Sequence, residues 1–256
     1  MQTSSGPLSI QADGPVRIVT LERADRLNAV DKELHAALAA VWANLEADPQ
    51  ARAVVLTGAG RAFSAGGDAD WFSEIRADVA ERRRAMREAR RIALEMVRFP
   101  LPLVAAVNGP AVGLGCSLAV LADHVLMAEG AYFADPHVAI GVAAGDGGAA
   151  AWPVYMNLLQ VKEYVFSGKR IPADVAVNLG LANAVVPAES VLDQAREVAH
   201  AWAALPFAAL QDTKRALNMH LERAMSGVLE FALASESEHF LSDEHATWAQ
   251  SFGDRQ

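Results

Sequence analysis

The sequence predicts an α/β fold in which strand–strand–helix units repeat through the first two thirds and the last third is helical. Three observations predict it. Apolar runs of strand length recur at Val16–Leu21, residues 53–57 and Leu103–Val107, with helical stretches between them. Two of these runs, AVVLT and LVAAV, carry no polar alternation, as expected of parallel strands covered on both faces. From about residue 191 onward the apolar residues follow a helical period with almost no strand signal.

Taken in order, VRIVTL at Val16–Leu21 is rich in β-branched residues and reads as a strand. Asp31 then precedes a helix over Lys32–Glu46, with Leu34, Leu38, Val41, Trp42 and Leu45 on one face, and Asp48-Pro49 ends it. The strand at residues 53–57 leads into a Gly/Ala-rich loop at 58–70. A long polar helix follows over roughly residues 73–98, stopped by Pro100 and Pro102. Leu103–Val107 is a second buried strand, residues 108–115 a second Gly-rich loop, and residues 117–122 the start of a helix. Short strands are expected at residues 125–128 and at Tyr132–Ala134. An all-helical segment begins near Pro206. The expected division is a core over residues 1–200 and a helical region over 201–256.

With 256 residues, 52% of them hydrophobic and 21% charged, the chain can bury one large core and is not disordered. A net charge of −9 argues against nucleic acid or an anionic membrane surface as partner. The lone cysteine, Cys116, excludes an internal disulfide and suits a reducing compartment. Residues 1–15 lack the basic and apolar stretches of a signal peptide, and no apolar run is long enough for a membrane span. A cytoplasmic protein is expected. The basic run over residues 81–91 (ERRRAMREARR) reads first as a solvated helix face laced with Glu/Arg pairs. Its alternative is a patch that meets a phosphate. No residues show metal-ligand spacing.

The informative feature is a duplicated context. The first buried strand leads into Arg61-Ala62-Phe63-Ser64-Ala65-Gly66-Gly67-Asp68, and the second into Asn108-Gly109-Pro110-Ala111-Val112-Gly113-Leu114-Gly115-Cys116-Ser117. Both loops sit at the carboxyl ends of strands, where α/β proteins place their sites. Glycine lets the backbone approach a ligand closely, and the second loop opens a helix whose N-terminal N–H groups favour negative charge. Neither loop is a Walker or dinucleotide motif. Two such loops can converge main-chain N–H groups into an oxyanion hole, where one donor is typically worth about 10²–10³ in rate.

The pair of loops resembles the crotonase (enoyl-CoA hydratase/isomerase) superfamily. Leu27-Asn28-Ala29, Asp123, Phe133-Ala134-Asp135-Pro136 with Gly141, Gly145 to Gly148, Ser167-Gly168-Lys169-Arg170-Ile171 and Gly180-Leu181 match in the same order. The resemblance runs over about residues 15–190. It implies a ββα spiral core and a C-terminal helical region that mediates trimerisation, often into a hexamer. It implies an oxyanion hole from the N–H groups of Ala65 and Leu114 that holds an acyl-CoA thioester oxygen. The adenine and pantetheine path would then run past Leu27, Ala29, Ala65, Gly67, Asp68 and Ala69. No separate cofactor is implied, because CoA enters as part of the substrate.

The chain departs from the family where the chemistry lies. The two glutamates of the hydratases fall at Ser117 and His137, so both carboxylates are missing. A serine is no base at neutral pH, whereas His137 can be one. Asp146 follows nine residues later, and an Asp paired with His would orient the ring, although it could also simply cap the next helix. That separation is similar to the His/Asp pair of 6-oxocamphor hydrolase-type members, which cleave β-diketones without CoA. His124 and Cys116 read as structural, and Trp71 with Phe72 as core or acyl pocket. The C-terminal segment offers only Arg255 as a cation for CoA phosphates, which leaves Arg26, Arg61 and the arginines of residues 82–91. Three functions follow: an acyl-CoA enzyme using His137 and Asp146, a CoA-independent β-diketone C–C hydrolase, or a catalytically silent member kept for binding or assembly.

Overall fold

The computed structural model describes residues 2–4 and 6–253, so Arg255 lies outside the described residues. The strands are β1 (Gln2–Ser4), β2 (Leu8–Asp13), β3 (Val16–Leu21), β4 (Ala53–Gly58), β5 (Leu103–Val107), β6 (Ala111–Val112), β7 (His124–Ala128), β8 (Tyr132–Ala134), β9 (Ile171–Pro172) and β10 (Ala184–Val186). They form a seven-stranded sheet in the order β1-β2-β3-β4-β5-β7-β10 and a three-stranded sheet in the order β6-β8-β9. The large sheet is antiparallel from β1 to β3 and parallel from β3 to β10. Its central strands β4 and β5 are buried at every residue, as their unbroken apolar runs require.

The chain repeats one path. A long strand joins the large sheet, a short segment crosses to the small one, and a helix or helical turn leads back. After β4, Ser64 bridges to Ala111 and Gly67 to Val30. After β5 comes β6, and after β7 comes β8. This is the expected ββα spiral. The helices are α1 (Lys32–Glu46), α2 (Ala69–Ala77), α3 (Val79–Arg98), α4 (Leu114–Val120), α5 (Gly148–Tyr155), α6 (Leu158–Ser167), α7 (Ala173–Leu179) and α8 (Val191–Ala203). The C-terminal region adds α9 (Phe207–Met225), α10 (Val228–His239) and α11 (Asp243–Gly253).

Three local outcomes differ from expectation. The single helix expected at 73–98 is split at Asp78, whose extended backbone stops α2 while its side chain accepts from Ala80 N at 2.7 Å to start α3. The helix expected at 117 starts at Leu114, because Gly113, with φ 52° and ψ −121°, turns the chain there. The basic run on α3 is only partly a solvated face. Arg84 pairs with Glu81, Arg91 with Glu95 and Arg90 with Glu230, but Glu81 and Arg82 are buried. Glu81 accepts from Trp71 Nε1 at 2.8 Å, and Arg82 Nη1 donates to Ile75 O at 3.0 Å.

The C-terminal helices are fastened to the core. Lys214 Nζ on α9 donates to Leu101 O at 2.7 Å and pairs with Asp123 at 2.6 Å. Helix α10 packs on α3 and α5, and α11 on the helical turn after His137. No described helix is long and apolar enough to cross a membrane.

Candidate active site

The first loop is held by the Leu27-Asn28 pair. Both residues adopt left-handed backbone, with φ of 53° and 54°, a conformation non-glycine residues keep only when their surroundings enforce it. Asn28 is fully buried. Its Nδ2 donates to Ala59 O at 2.9 Å and Ala62 O at 2.8 Å, and its carbonyl accepts from Ser64 Oγ at 2.8 Å. The Leu27 carbonyl accepts from Ala65 N at 2.9 Å. This corrects the expectation for Ala65, because its N–H is spent inside the protein. The N–H of Gly67, two residues on, has no acceptor among the described residues, and neither has that of Leu114 at the first turn of α4. A Cβ on Gly67 would lie 2.3 Å from the Phe72 ring, so a close approach to that ring requires glycine.

His137, Asp146 and Ser117 meet, but not as the sequence suggested. The His137 ring is buried between two carboxylates, with Nδ1 2.5 Å from Asp135 Oδ1 and Nε2 3.3 Å from Asp146 Oδ2. The residue that orients the ring by hydrogen bond is therefore Asp135, two positions earlier, and Asp146 faces the other nitrogen as an ion pair. Burial opposes the imidazolium, but Asp135 and then Asp146 outweigh it and hold the His137 pKa well above the ordinary histidine value. The two carboxylates thus favour the protonated ring of His137, the residue that the sequence reading made a base. Ser117 is buried behind the site, where its Oγ donates to Asp146 Oδ1 at 3.0 Å. Asp146 does not cap α5, whose N-cap is Gly147 with no side-chain bond.

His137, Asp146 and the two loops border one cavity of about 510 Å³. Leu27, Ala29, Ala65, Gly67, Asp68 and Ala69 line one part of it, and Leu114, His137 and Asp146 another. Asp68 is occupied, capping α2 through Asp70 N and pairing with Arg23. Trp71 and Phe72 line the cavity as well as packing in the core, with Ile75, Ala85 and Phe240 nearby. At the mouth, Arg26 pairs with Asp70 at 2.8 Å, whereas Arg61 makes no ion pair among the described residues. Cys116 is buried and its thiol is pushed up by burial, which leaves it inert. His124 packs its ring edge-on to Trp202, a structural role.

The cavity also contains a residue the motifs did not indicate. Glu236 on α10 lines it and is 6% exposed. A signal was present, since Leu229, Ala232, Leu233 and Glu236 form the buried stripe of that helix and only one of them is charged.

The chain matches the Enoyl-CoA hydratase/isomerase family model over residues 11–254. A short-chain-enoyl-CoA hydratase of Clostridium acetobutylicum is 31% identical over 232 residues, covering 90% of this chain and 87% of the relative. A carnitinyl-CoA dehydratase of Salmonella enteritidis is 34% identical over 216 residues, 83% of this chain and 81% of the relative. The crystal structure of an enoyl-CoA hydratase/isomerase from Mycobacterium paratuberculosis superposes with a TM-score of 0.94 at 48% identity, over 96% of this chain and 98% of that one.

Proposed function

The chain belongs to the enoyl-CoA hydratase/isomerase family, the crotonase superfamily, and from that premise we propose that it binds an acyl-CoA thioester and carries its reaction through an enolate held by the N–H groups of Gly67 and Leu114. The observation that carries this reading is their position. These two main-chain donors lack acceptors among the described residues and border the cavity that His137 and Asp146 also border. The Leu114 N–H also opens α4, so the helix dipole adds to its pull on developing negative charge. The acyl group would lie against Trp71, Ile75 and Ala85, and CoA would pass Leu27, Ala29 and Ala69 with Arg61 near its phosphates. Protons would be handled by the His137–Asp146 pair, in which the His137 cation fixes the Asp146 carboxyl beside the substrate. Titration calorimetry with butyryl-CoA tests the reading. Saturable binding is expected, and no binding at millimolar ligand contradicts it.

One observation favours a second reading, CoA-independent hydrolysis of a β-diketone. Asp25, Asp68 and Asp70 line the cavity, and of its lining cations Arg26 is already paired with Asp70. A panel of cyclic β-diketones that yields keto acids would establish this reaction in place of the first. Any turnover lost in both His137→Ala and Asp146→Asn would dispose of a silent, purely binding role. Exposed apolar side chains, among them Leu159 at 80% and Phe231 at 75%, support assembly into a trimer or hexamer. Light scattering on the eluting protein measures that directly.

A further inference from the structure

Glu236 is a buried acid that the proposed site does not yet use. Its Oε2 has no hydrogen-bond partner among the described residues, and a Cβ on Gly145 would lie 2.1 Å from that atom, so the backbone leaves just enough room for the carboxyl. An ionised carboxylate in such a place is costly. Its neighbours raise the cost, since Asp135 and Asp146 already share the single cation His137. Burial, with the two aspartates and against His137, pushes the Glu236 carboxyl up to about 8. A neutral carboxyl has an O–H to give.

The hydratase pair of glutamates is missing at Ser117 and His137, but two carboxyl groups return to the same cavity from other elements. Asp146 comes from the loop before α5 and accepts from Ser117 while facing the His137 cation. Glu236 comes from α10, and its Oε2 has no hydrogen-bond donor among the described residues. Two carboxyls in opposed environments are the arrangement that separates a base from an acid. We infer that Glu236 is the general acid of this site, delivering its proton to the α-carbon of an enolate held over Gly67 and Leu114, with Asp146 as the base. In that step the enolate π pair forms the new C–H bond and the carbonyl reforms in the hole. The Glu236 O–H bond breaks and leaves its electron pair on the carboxylate, which solvent reprotonates as product departs. The inference rests on the enolate reading above.

Two measurements test it. Infrared spectra of the ligand-free enzyme at pH 7, with carbon-13 glutamate labelling and with Glu236→Gln as reference, should contain a neutral-carboxyl stretch that the variant lacks. A spectrum with only carboxylate bands for glutamate overturns the inference, and the labelling arm needs no variant to fold. Deuterium uptake at the α-carbon of butyryl-CoA in heavy water should slow about 10²-fold or more in Glu236→Gln, at an unchanged dissociation constant. Uptake that survives in the variant within a few-fold overturns this role alone. A wild-type enzyme that neither binds nor labels the thioester overturns the acyl-CoA reading and this role together.

Discussion

Asp135 Oδ1 lies 2.5 Å from His137 Nδ1, and the opposite ring nitrogen faces a second carboxylate. Both carboxylates therefore favour the protonated form of this buried ring. Because its pKa in the folded protein is raised, its contribution to stability is present below the ordinary histidine value and is lost as pH rises through the raised one. Nitrogen-15 NMR should find both ring nitrogens of His137 protonated at pH 7.5. A neutral tautomer at that pH would refute the clamp. His137→Gln should lose the alkaline fall in thermal midpoint and about 10²-fold or more in turnover.

Ser117 holds Asp146 through one hydrogen bond at 3.0 Å and does not border the cavity. Ser117→Ala should lower kcat about tenfold with little change in KM, and should cost about 1–3 kcal/mol of stability because a buried acceptor loses its donor. Steady-state kinetics together with urea unfolding would expose a direct chemical role, which predicts a far larger loss of kcat at unchanged stability.

Leu114 occupies the first position of α4, where proline is tolerated because its missing N–H has no helical partner. Leu114→Pro should thus fold, yet lose about 10²–10³ in kcat, the usual worth of one oxyanion donor. Leu114→Ala keeps the N–H and serves as its control. Equal rates for the two variants would remove Leu114 from the hole.

Glu236 has a folded pKa raised to about 8, so between the ordinary glutamate range and about 8 the native state binds more protons than the unfolded chain. Over that window stability falls as pH rises. The melting temperature of Glu236→Gln should therefore rise relative to wild type from pH 5 to pH 8 and level off above. A difference that stays constant across this range would mean that Glu236 is ionised throughout.

Much of this was legible in the sequence, for physical reasons that differ by element. The helix Lys32–Glu46 and the strand Val16–Leu21 carry their own start and stop signals and appear where expected. Strand β2 alternates Leu8, Ile10 and Ala12 with polar residues, a period-two pattern too short to stand out from a loop. The two loops announced an oxyanion hole, but which N–H is free depends on the Leu27 carbonyl, which reaches Ala65 from another turn of the spiral. The roles of Asp135 and Asp146 were likewise not separable by spacing, since both are near His137 in sequence and only the fold decides which nitrogen each meets. Glu236 lies about ninety residues from Asp146 and joins it solely because α10 packs on α3 and α5.

The central claim is that a substrate oxygen is held by two main-chain N–H groups. A crystal structure with bound butyryl-CoA measures this directly. The thioester oxygen should lie about 2.7–3.1 Å from both Gly67 N and Leu114 N. A thioester oxygen bound away from that pair, or a CoA moiety that leaves the cavity empty, would contradict the account.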